Sequence, residues 1–193
     1  GPDDAVRDWL TALDGVAPTE GMTQKQLRPW MRKTKNFVSF AVVRHPLARA
    51  HDAFRTLLSA RGPQANNLRR ILTNQHAVDL DGSGSDAFLG FLKFLKANLN
   101  GQSSLPVARE WASQSALLAG QAQTVLAQRI IREGEAQGEL DRLAKLAEKP
   151  SPVFDLPDRD LLTDISTEEI EDACVDAYRR DFLAFGFKRW KNA

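Results

Sequence analysis

Arg44, His45 and Arg49 follow an apolar run, Phe37-Val38-Ser39-Phe40-Ala41-Val42-Val43, and bracket Pro46 where a helical pattern begins. A guanidinium can grip two phosphate oxygens through parallel hydrogen bonds. A helix start adds unpaired N–H groups and a positive dipole end. In open α/β sheets ligands gather where a strand ends and the next helix begins. Phe37–Phe54 is therefore expected to hold a phosphate, with Arg44 as the principal contact. The competing reading is that Arg44 and Arg49 pair with acids elsewhere in the fold.

The charge distribution favours an anion. Lys and Arg number 26 against 25 Asp and Glu, a net charge of +1 over 193 residues. Yet no acid occurs between Gly21 and His51, where Lys25, Arg28, Arg32, Lys33, Lys35, Arg44 and Arg49 all lie. Such a local imbalance creates a directed field. A nucleic-acid partner is not expected, because Trp30 is the sole aromatic among the cations of residues 25–35 and the whole-chain charge is low.

No metal is expected. His45, His51 and His76 lack metal-ligand spacing. Asp79, Asp81, Ser83 and Ser85 alternate as in a calcium loop, but Gly90 stands where that loop needs a glutamate. The single cysteine, Cys174, excludes an internal disulfide and indicates a reducing compartment, read as the cytoplasm. No apolar run reaches the ~20 residues of a membrane span, and no membrane partner is expected.

These side chains need elements to position them. Val6, Trp9, Leu10 and Leu13 predict a helix over 3–14, and residues 22–35 a short basic helix interrupted by Pro29. Phe37–Val43 predicts a strand covered on both faces, as in a parallel sheet. Helices are expected from Pro46, over 64–75, from Ser85 through Leu99, and from Pro106 to Ala119 with Gly120 as a left-handed cap. Val125–Ile131 predicts a second short strand, followed by a helix over 135–147 and an extended connection over 149–160. Ser166 and Glu169 make a capping-box pattern that opens a helix carrying Ile170, Cys174, Ala177 and Tyr178. The expected class is α/β with a helical majority and a short parallel sheet.

The segment FVSFAVVRHPLARAHDAF, Phe37–Phe54, resembles the 3′-phosphate-binding motif of sulfotransferases that use 3′-phosphoadenosine 5′-phosphosulfate (PAPS), especially the carbohydrate sulfotransferases. Arg44, Pro46, Arg49 and Phe54 match it. Phe88–Leu99 is similar to the family's helix rich in Phe and Leu, and Trp111-Ala112-Ser113-Gln114 to its Trp-x-x-Gln. Ile130-Ile131-Arg132-Glu133 resembles its strand ending in Glu. Tyr178-Arg179-Arg180-Asp181-Phe182 with Phe185-Gly186-Phe187 resembles its closing Tyr-x-x-Asp-(Phe/Tyr) and Phe-Gly-(Phe/Tyr).

The resemblance implies a partial P-loop-type sulfotransferase-like domain over 37–193, after a helical, basic segment over 1–36. It implies PAPS as donor and sulfuryl transfer to the hydroxyl of a glycan or small-molecule acceptor. Arg44, His45, Arg49 and Asp52 become the nucleotide-binding residues, and Trp111 and Gln114 the acceptor-binding ones. Two departures are plain. Asp52 stands where the family has a serine that shares the phosphate, and His45 replaces an aspartate, offering a compensating positive charge. Residues 1–36 also lack the family's phosphosulfate loop, a strand followed by a turn with Lys and Ser/Thr, so the catalytic residues stay unassigned. Gly1-Pro2 reads as the scar of a cleaved tag, leaving an upstream domain of the same protein as a candidate partner. Two readings remain open: an enzyme completed by that region, or a non-catalytic docking module with a degenerate sulfotransferase fold.

Overall fold

In order, the elements are α1 (Pro2–Asp14), α2 (Gln24–Lys33), β1 (Phe40–Val43), α3 (Pro46–Ser59), α4 (Pro63–His76), α5 (Gly84–Leu99), α6 (Gln114–Ala122), β2 (Arg129–Arg132), a 3-10 turn (Glu133–Glu135), α7 (Ala136–Leu146), α8 (Glu168–Ala177) and α9 (Arg179–Phe185). This computed structural model describes residues 2–81, 84–155, 162 and 165–190. The class is helix-rich α/β with a two-stranded parallel sheet. Among the described residues no helix is long and apolar enough to cross a membrane. The chain forms two units, each assembled from two stretches: Gly1–Arg44 with Leu118–Asp158, and His45–Leu117 with Arg159–Ala193.

In the first unit β1 and β2 run parallel, with Phe40 opposite Arg129 and Val43 opposite Arg132. The apolar spacing of α1 and α7 gives each helix one core-facing stripe. Trp9 of α1 and Leu140 and Ala144 of α7 are buried with Ile131 and Phe154, and Phe40 and Val42 pack against this cluster. Trp9 meets Phe40 edge-on at 6.4 Å, and its indole N–H donates to the Pro152 carbonyl at 3.1 Å.

The strands are shorter than the apolar runs suggest. Phe37–Ser39 precedes β1 and is fastened by side chains: Ser39 N–H donates to Gln128 Oε1 at 3.1 Å, and Phe37 packs on Trp30. Coverage on both faces, expected for Phe37–Val43, is reached only at the Val43 end; Val38 is 43% and Ile130 50% exposed. With two strands in the sheet, both are edge strands, and nothing in so small a sheet makes a doubly covered interior.

The second unit is built round α5. Phe88, Phe91, Leu92 and Leu95 repeat at helical spacing, and all are fully buried. They pack with Leu47, Phe54 and Leu57 of α3, Leu72 of α4 and Ile170 and Cys174 of α8. Phe54 lies 5.5 Å from Phe88 and 5.4 Å from Phe91, ring centre to ring centre.

Helix ends differ from the sequence expectation in instructive ways. Residues 106–113 form turns rather than helix, and α6 begins at Gln114 and runs past Gly120, which is helical and not a left-handed cap. The cap of α8 is Thr167, whose Oγ1 accepts from Ile170 N–H at 3.3 Å, one residue beyond the Ser166 pattern. Ser166 Oγ instead donates to the buried Glu171 carboxylate at 3.1 Å. The calcium-like stretch includes Gly82 and Ser83, and the expected extended connection includes 156–160; these lie outside the described residues.

Burial, with Glu171 and Asp181 nearby, pushes the Cys174 thiol well up, so its reactive thiolate is suppressed. The native protein should resist an aromatic disulfide reagent and react fully once unfolded. Phe88→Ala should lower stability by about 3–5 kcal/mol, read from the urea unfolding midpoint.

Candidate functional site

The chain passes from one unit to the other between Arg44 and His45, which puts these neighbours in different units. On the first side, sheet register determines the neighbour of Arg44. Val43 and Arg132 are the last paired residues, which makes Arg44 and Glu133 the next step along the two parallel strands. Both side chains are buried, and Arg44 Nε donates to Glu133 Oε2 at 3.0 Å. Taking both charges out of water is costly, and the pair survives burial because each charge answers the other. The competing reading of Arg44, pairing with a distant acid, thus describes at least one face of its guanidinium.

On the second side, His45 caps α3. Its Nδ1 accepts the Leu47 N–H at 3.2 Å, while Nε2 lies 2.8 Å from the Lys188 carbonyl oxygen and so must donate to it. A ring that accepts at Nδ1 and donates at Nε2 is the neutral tautomer. The compensating positive charge expected of His45 is therefore not available in this arrangement. The ring is enclosed edge-on by Phe182, Phe187 and Trp190 at 5.0–5.5 Å. The start of α3 is also largely spoken for. Pro46 has no N–H, Leu47 donates to His45 Nδ1, and Arg49 N–H donates to the His45 carbonyl at 3.1 Å.

Arg49 uses its guanidinium on backbone. Nη1 donates to the Ala112 carbonyl and Nη2 to the Arg109 carbonyl, the latter at 2.6 Å. It therefore staples the turn before α6 to α3. Asp52 lies one turn further along α3 and is half-buried.

Trp111 and Gln114 do not line an open groove. Both are buried, and Trp111 packs edge-on against Phe91 and Phe94 and donates its indole N–H to Asn98 Oδ1 at 2.9 Å. Their neighbours come from far along the chain. Tyr178 Oη donates to the Trp111 carbonyl at 2.8 Å, and burial pushes the Tyr178 phenol well up, so it stays a donor.

Asp181, fully buried, accepts from Gln114 N–H at 2.7 Å, Ser115 N–H at 2.9 Å and Ser113 Oγ–H at 2.6 Å. Three donors around one carboxylate at a helix start replace the water it has lost. Glu133 and Asp181 belong to the segments quoted for the family resemblance, yet neither stands out as a site residue from sequence. The signal for Glu133 is the acid-free stretch around Arg44, which obliges that cation to find its partner far along the chain. Among the described residues no group of His, Cys, Asp or Glu is arranged to hold a metal ion.

Asp181→Ala should strand buried donors and cost about 3 kcal/mol or more, whereas Tyr178→Phe should cost about 1–2 kcal/mol, both from chemical denaturation. No protein-family model matches the chain, and no curated protein or solved structure matches it either.

Proposed function

We propose that the chain is a sulfotransferase-like domain whose nucleotide is PAPS, serving transfer of a sulfuryl group to the hydroxyl of a glycan or small metabolite. The observation that carries this reading is pairwise contact between the segments that resemble the family. Arg44 meets Glu133 across the parallel strands, and Trp111–Gln114 meets Tyr178–Asp181 through Tyr178 Oη and the Asp181 carboxylate. Segments that resemble the family thus touch one another within each unit, as remnants of a common scaffold would. Arg44, with its guanidinium anchored at Nε, is the residue assigned to the 3′-phosphate.

A second reading, a non-catalytic binding module, has its own support. His45 is neutral and enclosed, most first-turn N–H groups of α3 are engaged, and Arg49 serves the backbone. Those groups do not fit a phosphate well. Residues 2–36 supply α1, α2 and their connections, with no strand to carry a phosphosulfate loop. Sulfuryl transfer needs cations and N–H donors at the bridging oxygen and a base for the acceptor.

Calorimetric titration with 3′-phosphoadenosine 5′-phosphate separates the two. On the first reading the chain binds weakly, and Asp52→Ser tightens binding severalfold by removing a repelling carboxylate. Arg44→Met with Glu133→Leu removes both buried charges together and should stay folded, yet lose binding at least tenfold. No binding by either the native chain or Asp52→Ser supports the module. Unchanged affinity in the folded double variant refutes the role of Arg44.

A further inference from the structure

Helix α2 is amphipathic, yet none of its residues is buried. At about 100° per residue, Leu27, Trp30 and Met31 share one face, and Lys25, Arg28 and Arg32 share the opposite one, with Lys33 at the margin. The helix is well held. Thr23 N–H donates to Gln26 Oε1 at 2.9 Å at its start, and Gln24 Nε2 donates to Thr124 Oγ1 at 2.6 Å. A helix so fixed, with so little covered, has a surface left over.

Its cations differ from most others in the same unit, Lys145 of α7 apart, which likewise meets no carboxylate among the described residues. Arg7, Arg129, Arg132, Arg142 and Lys149 each meet a carboxylate. Lys25, Arg28, Arg32 and Lys33 of the helix, and Lys35 just beyond it, meet none among the described residues. Exposed apolar side chains stand beside them. Trp30, 41% exposed, lies 5.6 Å from the Phe37 ring, and the adjoining Val38 is exposed as well. Ser39 Oγ then donates to the Leu126 carbonyl at 2.7 Å, bringing in Leu126, which is 71% exposed.

We propose that α2, with Val38 and Leu126, forms a peripheral contact with an anionic phospholipid surface. A bilayer offers anionic headgroups over hydrocarbon, so the cations stay in the headgroup layer while Trp30, Val38 and Leu126 enter just below it. A nucleic acid would engage the cations and Trp30 but would leave the aliphatic Val38 and Leu126 in water. A helix that lies on the bilayer surface needs no spanning stretch. This inference is independent of the sulfotransferase reading.

Flotation of the full chain with lipid vesicles tests it. Binding is expected to vesicles containing phosphatidylserine and not to phosphatidylcholine alone, and to fall as salt rises. Lys25→Glu, Arg28→Glu and Arg32→Glu together, all at exposed positions, should reduce partitioning about a hundredfold or more, on the order of fivefold for each cation lost. Trp30→Ser with Leu126→Ser should reduce it roughly tenfold while leaving the salt dependence in place. Failure to bind the phosphatidylserine vesicles overturns the proposal. So does binding that the Trp30 and Leu126 variant leaves intact, because a contact through charge alone has no use for the apolar residues. Capture by a DNA oligonucleotide without vesicle binding would assign the helix to nucleic acid instead.

Discussion

A carboxylate shut away from water must be met by donors, and in the second unit that demand falls on Asp181. Its oxygens are met by Ser113 and by the first N–H groups of α6. A charged acceptor at a helix start gains from both the unpaired N–H groups and the dipole. The position of α6, the turns before it and the burial of Trp111 follow from that one anchor. Tyr178, three residues earlier, holds the carbonyl of Trp111, and Arg49 holds those of Ala112 and Arg109. Residues 106–113 are therefore secured by side chains together with turn bonds from the Trp111 and Ala112 N–H groups to the Ala108 carbonyl.

The first unit solves a similar problem with opposite charges. Arg44 and Glu133 sit where parallel strands release their last paired residues, and each neutralises the other out of water. Such a pair contributes little net stability against an apolar equivalent, since desolvation offsets most of the attraction. What it does contribute is a fixed orientation for a guanidinium at the carboxyl edge of a sheet. That is the position from which an α/β protein most often addresses a ligand, which is why Arg44 is the residue proposed for the phosphate.

Elsewhere in the first unit, most cations outside α2 meet acids, Lys145 of α7 apart. Arg132 and Arg142 each have a glutamate three residues away, and Arg129 of β2 reaches Glu139 of α7. Helix α2 has no acid on itself, and its cations meet none among the described residues. Its apolar residues are likewise only partly covered. The same acid-free stretch therefore ends in two different outcomes: a buried pair at Arg44 and, among the described residues, a helix α2 whose cations meet no acid.

By itself, the sequence determined the periodic features: the helices α1, α3, α4, α5 and α7, the parallel α/β class with a helical majority, and the core stripe of Phe88, Phe91, Leu92 and Leu95. Those follow from local spacing of apolar residues, which needs no partner to be read. Only the tertiary structure decided where α6 begins, because a serine before a helical pattern is unremarkable until Asp181 arrives from 66–68 residues away. Likewise it decided that His45 is neutral, since its tautomer depends on Leu47 N–H and the Lys188 carbonyl acting together. And it decided that Arg44 faces Glu133, because strand register, not residue type, puts two distant side chains next to each other.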